Sequence, residues 1–212
     1  MTPTLRTYVY VDGFNLYYRA LRGTPYKWLD LQALASGLLD PHNRIDKIRY
    51  FTAPVSGRLD PGQPIRQQRY LQALSSIPHL SVHFGSFLTT NKIRPLANPL
   101  PGGPSHVEIL NSEEKGSDVN LASFLIHDAC RDLFDVALVL SQDTDLLEPV
   151  RIVLAEHAKP VGLVVLDGKL PGRLAKSASF KRDVTPGRLK AAQFPDTIAL
   201  ARGKSVTRPP SW

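Results

Sequence analysis

The run Val-Ala-Leu-Val-Leu at 136–140 carries no polar residue and gives way at once to Ser-Gln-Asp-Thr-Asp. A strand of this kind has no face to turn to water. It has to be covered on both sides, and a parallel sheet flanked by helices does this. Four more segments read as strands, at 8–11, 45–51, 80–84 and 161–166. Helical patterns lie between them at 14–22, 31–39, 64–76 and 144–157, with Asp30 placed to cap the second and Pro64 opening the third. Strands alternating with helices imply βαβ units, and right-handed crossovers put helices on both faces of the sheet. The expected fold is α/β, with three layers and a mostly parallel central sheet.

One segment breaks the rhythm. Residues 86–112 contain Arg-Pro-Leu-Ala-Asn-Pro-Leu-Pro-Gly-Gly-Pro-Ser-His, and the flanks 87–90 and 107–110 are expected to pair as a hairpin around it. Beyond residue 168 the periodicity fades. Residues 168–212 hold ten Lys/Arg against two acids, whereas the first 167 residues are close to neutral. The expected division is a domain over 1–168 and a basic extension over 169–212, partly packed or disordered, that attracts polyanions. The single cysteine, Cys130, allows neither a disulfide framework nor a cysteine zinc site. With no leader pattern and no apolar run of about 18 residues, the expectation is a cytoplasmic protein with no membrane partner.

Three acidic corners stand out. Asp12 ends the first strand, in Tyr-Val-Asp-Gly-Phe-Asn-Leu. Asp118 opens a helix, in Lys-Gly-Ser-Asp-Val-Asn-Leu-Ala. Asp143 and Asp145 follow the buried run. In a parallel sheet the first and third corners share the carboxyl edge, where open α/β sheets bind ligands. Helix capping accounts for any one of these aspartates. It accounts less well for all together, because clustered carboxylates repel unless a cation sits between them. Hard oxygen donors without a cysteine or histidine pattern select Mg²⁺ or Mn²⁺ over zinc. Asp128 lies about 15 Å along the helix from Asp118, so it cannot hold the same ion and is expected to be structural or, at most, to support a residue that does.

The three motifs, in this order, resemble those of NYN domains, the LabA-like branch of the PIN-like nuclease superfamily, over residues 5–168. The resemblance implies a PIN-like Rossmannoid fold and a metal-dependent ribonuclease that leaves 5′-phosphate and 3′-hydroxyl ends. By position it implies Asp12, Asp118, Asp143 and Asp145 as the catalytic acids, the first three holding Mg²⁺ or Mn²⁺. Asn15 and Ser141 match the family's asparagine and small polar residue at the site. The sequence departs from many PIN proteins in helix 64–76, which has no acid but carries Arg66 and Arg69. Those arginines, with Lys92 and Arg94 of the long loop, are the candidate contacts to an RNA strand. RNA is the expected partner, and a homodimer is possible. The rival readings are a non-catalytic nucleic-acid-binding module of the same fold and a haloacid-dehalogenase-like phosphohydrolase, the latter suggested by the Asp143-Thr144-Asp145 spacing.

Overall fold

The computed structural model describes residues 3–58 and 60–212. The chain opens with β1 (Leu5–Asp12), a short α1 (Gly13–Leu16) continued by a π-helical turn (Tyr17–Leu21), then α2 (Leu31–Leu38) and β2 (Asn43–Thr52). Next come α3 (Gly62–Leu74), β3 (Leu80–Phe84), the hairpin β4 (Ser86–Pro95) and β5 (His106–Lys115), and α4 (Ser117–Cys130). The second half runs β6 (Val136–Leu140), a 3-10 turn (Thr144–Leu146), α5 (Leu147–His157), β7 (Val161–Val165), α6 (Gly172–Ser177) and β8 (Phe180–Asp183). It ends in α7 (Pro186–Ala191) and a small antiparallel pair, β9 (Thr197–Ala199) and β10 (Ser205–Thr207).

Six strands form one sheet in the order β3-β2-β1-β6-β7-β8, and all its pairings are parallel. The order runs outward from β1 in one direction and from β6 in the other. The strand direction therefore leaves a crevice at the carboxyl ends of β1 and β6, the switch point where such sheets bind ligands. Side chains alternate between two cores. Val9, Val11, Leu138 and Leu140 pack with Leu34, Leu38 and Leu74 on one face. Tyr10, Ala137 and Val139 pack with Leu121, Leu125 and Val150 on the other. Every residue of β6 is buried, as a strand without polar residues requires. Among the described residues no helix is long and apolar enough to cross a membrane.

Local chemistry explains the boundaries. Asp30 caps α2, accepting from the backbone N–H of Gln32 at 2.8 Å and Ala33 at 3.0 Å. The predicted helix over 144–157 divides, because Asp143 Oδ1 accepts from Asp145 N at 3.0 Å and tightens the first turn to 3-10. The hairpin is longer than predicted: the two flanks do not face each other, since Phe87 pairs with Glu114 and Val107 with Arg94. Lys92 and Arg94 thus lie on a strand rather than in a loop.

Residues 169–212 are built into the domain. β8 is the sixth strand of the sheet, and Leu189, Phe194, Ile198 and Val206 enter the same core as Val9 and Leu138. Several of its basic groups are held locally. Arg182 donates to Leu38 O at 2.8 Å and to Asp40 at 2.9 Å, and Arg188 donates to Asp183 O at 2.6 Å. A truncation near residue 180 removes a strand and core side chains as well as charge.

Asp128 has a structural role. It is fully buried and accepts from Arg49 Nε at 2.7 Å, from an Arg49 terminal nitrogen at 2.9 Å and from Tyr10 Oη at 2.8 Å. This joins α4 to β1 and β2 beneath the sheet face. Arg49 is only 13% exposed and stacks 4.4 Å from the Phe124 ring, so it has little access to water in place of its partner. Asp128→Asn keeps the shape but leaves the guanidinium without a counter-charge. Urea unfolding should show a loss of about 3–5 kcal/mol. A loss below about 1 kcal/mol, as for an exposed pair, would show that water or a neighbour neutralises Arg49.

Candidate functional site

The switch point is closed by a chain of hydrogen bonds between strand ends. Asp12, the last residue of β1, is 4% exposed. Its Oδ1 accepts from Asn15 N at 2.9 Å, and its Oδ2 accepts from Ser141 Oγ at 3.0 Å. Asn15 Oδ1 in turn accepts from Gln142 N at 3.0 Å. Gln142 reaches on to the end of β7. Its Oε1 accepts from Leu166 N at 2.7 Å and Asp167 N at 2.9 Å, while its Nε2 donates to the carbonyls of Asp167 and Lys169. Gly13 is required at the turn: a Cβ there would lie 2.6 Å from Tyr50 Oη and 2.8 Å from Phe51 O.

Over this junction opens a cleft of about 380 Å³. Asp12 from the end of β1, Glu114 from β5, Asp118 from α4 and Asp143 from the turn after β6 line it. Asp118 stands in the first turn of α4, whose start is shaped by Gly116 at φ 96° and by Glu114, which accepts from Ser117 N at 3.1 Å and Ser117 Oγ at 2.7 Å. Arg19 is the one basic residue on the lining among the described residues, and it pairs with Asp167 at 3.0 Å. Phe14 and Phe87 meet edge to face at the wall, 5.6 Å between centroids.

The electrostatics follow from crowding. Burial pushes Asp12 up to about 6; the charges of Asp118 and Asp143 add to this, and the hydrogen bonds from Asn15 and Ser141 oppose it. Asp118 is also raised, first by burial and then by Asp143, Glu114 and Asp145. A divalent cation would relieve both. In chemistry and charge the donor set suits a hard ion. Among the described residues, however, no three acidic, histidine or cysteine side chains converge closely enough to hold an ion as they stand. Closing the set asks for rotation of the half-buried Asp118 and Asp143 across the open cleft.

Asp12, Asn15, Asp118 and Asp143 are thus brought together, with Ser141 bonded beneath them. The other predicted residues are not at the cleft. Asp145 is exposed and off the lining, though its charge reaches Asp118. Arg66 lines a second cavity and pairs with Asp60, while Arg69 is exposed and lines neither cavity. Lys92 pairs with Glu113 at 2.7 Å, and Arg94 is exposed further along the hairpin. Glu114 and Gln142 escape a reading of the motifs. The signal for Glu114 is an acid two residues before the helix-opening glycine. The signal for Gln142 is an amide directly after a wholly apolar strand.

No family model matches the chain. It is 31% identical over 237 aligned residues to a Pseudomonas putida protein named 6-hydroxy-3-succinoylpyridine 3-monooxygenase HspA, across 98% of this chain and 75% of that one. That relative is named as an enzyme. A crystal structure of a protein of unknown function from Vibrio parahaemolyticus superposes with a TM-score of 0.57 at 16% identity, covering 88% of this chain and 96% of that one. The second likeness is one of fold: a three-layer α/β domain around a parallel sheet.

The raised carboxyl has a pH consequence. A folded-state value of about 6, above the ordinary 3.8, means the folded protein takes the proton first. The stability Asp12 allows is therefore full below about pH 4 and is lost as pH rises through about 6. Asn at this position keeps both hydrogen bonds, its oxygen accepting from Asn15 N and its nitrogen donating to Ser141 Oγ. Unfolding in EDTA should show Asp12→Asn equal to the parent near pH 4 and more stable near pH 7, by on the order of 2–3 kcal/mol. Taking the difference cancels the exposed ion pairs, which respond to acid in the opposite sense. A difference that does not change with pH would mean that Asp12 is an ordinary solvated cap.

Proposed function

The chain belongs to the family of the Pseudomonas putida protein named 6-hydroxy-3-succinoylpyridine 3-monooxygenase HspA, and for a member built around this acidic cleft we propose metal-dependent hydrolysis of RNA phosphodiester bonds. The observation that carries the proposal is the crowding of Asp12, Asp118 and Asp143 on one cavity at the strand switch point, where burial and mutual repulsion raise Asp12 and Asp118. The NYN and PIN-like resemblance of the three motifs supports the same chemistry.

Asp12, Asp118 and Asp143 are the residues that would hold Mg²⁺ or Mn²⁺. A bound ion of this kind acidifies a water and stabilises negative charge on the scissile phosphate. The chain's own groups do the rest. Asn15 N and Ser141 Oγ fix both oxygens of Asp12, so its charge faces the cleft in one orientation. The edge-to-face pair Phe14–Phe87 offers a ring on which a base can stack. Arg19, on the rim, can exchange Asp167 for a phosphate oxygen. Water attacks phosphorus in line, the P–O3′ bond breaks, and the leaving O3′ takes up a proton while the attacking water gives one up to solvent, which leaves a 5′-phosphate and a 3′-hydroxyl.

A second reading takes its observation from the named relative. The likeness runs through 98% of the chain, and the relative is named for oxygenation of a small substituted pyridine. Under this reading the chain hydroxylates a small aromatic molecule with O₂ and an external reductant.

Asp143→Asn separates these from simple capping. Asn retains the acceptor used by Asp145 N, so capping predicts a near-neutral change. Under the proposal, cleavage of single-stranded RNA in Mn²⁺ should fall by at least about 100-fold, and the Mn²⁺-dependent rise in melting temperature should shrink. Full activity with the parent's metal response would remove Asp143 from the site. Parent protein that leaves RNA intact in Mg²⁺ and Mn²⁺, yet consumes O₂ with a reductant and a hydroxypyridine, would favour the second reading.

A further inference from the structure

We infer that a second cavity, behind the acidic cleft, binds a planar aromatic molecule carrying an anionic substituent. The cavity is about 340 Å³, within the ordinary range for small-molecule sites. It lies across the Gly13–Phe14 turn from the cleft, and Phe14 and Tyr18 line both spaces. Its walls are aromatic. Tyr50 and Tyr70 meet edge to face at 6.2 Å, and Trp212 tilts against Tyr70 at 5.7 Å. Opposite stand Tyr17 and Tyr18, at 5.3 Å from each other. The π-helical turn Tyr17–Leu21 puts these two rings and Leu21 on the cavity, and turns of this kind recur at functional sites.

The charge on the lining is one-sided. Arg22, Lys27 and Arg66 face Asp60, which is the one acid there among the described residues and is already paired with Arg66. Arg22 stands 5.5 Å above the Tyr18 ring, so its guanidinium is held at the mouth. Gln67 is fixed by hydrogen bonds with Val55 N at 2.9 Å and Ala53 O at 2.8 Å, and Arg66 is held by Asp60, so Arg22 and Lys27 are the cations that can turn towards a ligand. Flat apolar walls select a ring, and a cationic mouth selects an anion on it. A core packed for stability alone would fill such a space and would not set cations at its entrance.

Two sources share this chemistry: a free aromatic acid, and a nucleotide whose base enters while its phosphate stays at the mouth. The test is calorimetric titration in EDTA, so that the state of the acidic cleft does not enter. The probes are 4-hydroxybenzoate and adenosine 5′-monophosphate, with 4-hydroxybenzamide as the uncharged control. One molecule of at least one anionic probe should bind per chain. The benzamide should bind at least about 10-fold more weakly than the benzoate if the acid is the ligand. Arg22→Gln/Lys27→Gln should weaken the anionic probe about 10-fold, and Asp143→Asn should not. Binding of the benzoate alone identifies an aromatic acid, and binding of the nucleotide alone identifies a nucleotide. Failure of both to saturate by about 10 mM would overturn the assignment. So would equal affinity for the bound probe in the parent and the cation variant.

Discussion

The carboxylate of Asp12 is buried where two strands diverge, and the geometry around it depends on how its charge is held. Two parallel strands that end side by side leave backbone groups at their carboxyl ends with no sheet partner. Here Asp12, Ser141, Asn15 and Gln142 supply those partners in sequence, linking the ends of β1, β6 and β7. The same bonds oppose the burial that raises Asp12, without cancelling it. A rigid, partly uncompensated negative charge results, at the base of a cleft whose other acids come from β5, from α4 and from the turn after β6.

Much of this was legible in the chain before any coordinates. An apolar run such as 136–140, short and followed at once by a polar turn, reads as a strand covered twice, so the sheet and its flanking helices follow from it and its neighbours. Asp12 and Asp143 were legible because a parallel sheet fixes where strand ends point. Asp118 was legible through its place at a helix start after a glycine. Glu114 was not, because its approach depends on a ten-pair hairpin register that flanks rich in proline and glycine conceal. How far the last 44 residues pack was not legible, for another reason. Their lysines and arginines hide an irregularly spaced set of apolar residues, Leu189, Phe194, Ile198 and Val206, that completes one core. Irregular spacing carries no period from which to read a helix or a strand. The four candidate RNA-binding cations are dispersed for a similar reason: a positive side chain in a sequence does not reveal which acid will take it, as Asp60 takes Arg66 and Glu113 takes Lys92.

Two chemistries sit back to back on the Gly13–Phe14 turn. The acidic cleft suits a cation and a phosphate ester, and the aromatic cavity suits a ring with a negative group. Phe14 and Tyr18 belong to both, so a ligand in one is felt at the wall of the other. This adjacency gives a physical basis on which one fold, in one family, can carry both an enzyme named for a substituted pyridine and a chain whose motifs resemble a nuclease.

The central claim is that the crowded carboxylates form a cation site. Titration of the metal-free protein with Mn²⁺, followed by the loss of the free-ion electron paramagnetic resonance signal, tests it without reference to any substrate. The account predicts saturable binding at pH 7 that weakens as pH falls below about 6, where Asp12 takes up its proton. It also predicts that binding is lost in Asp12→Asn. Unsaturable uptake, or uptake indifferent to both pH and Asp12, would contradict it.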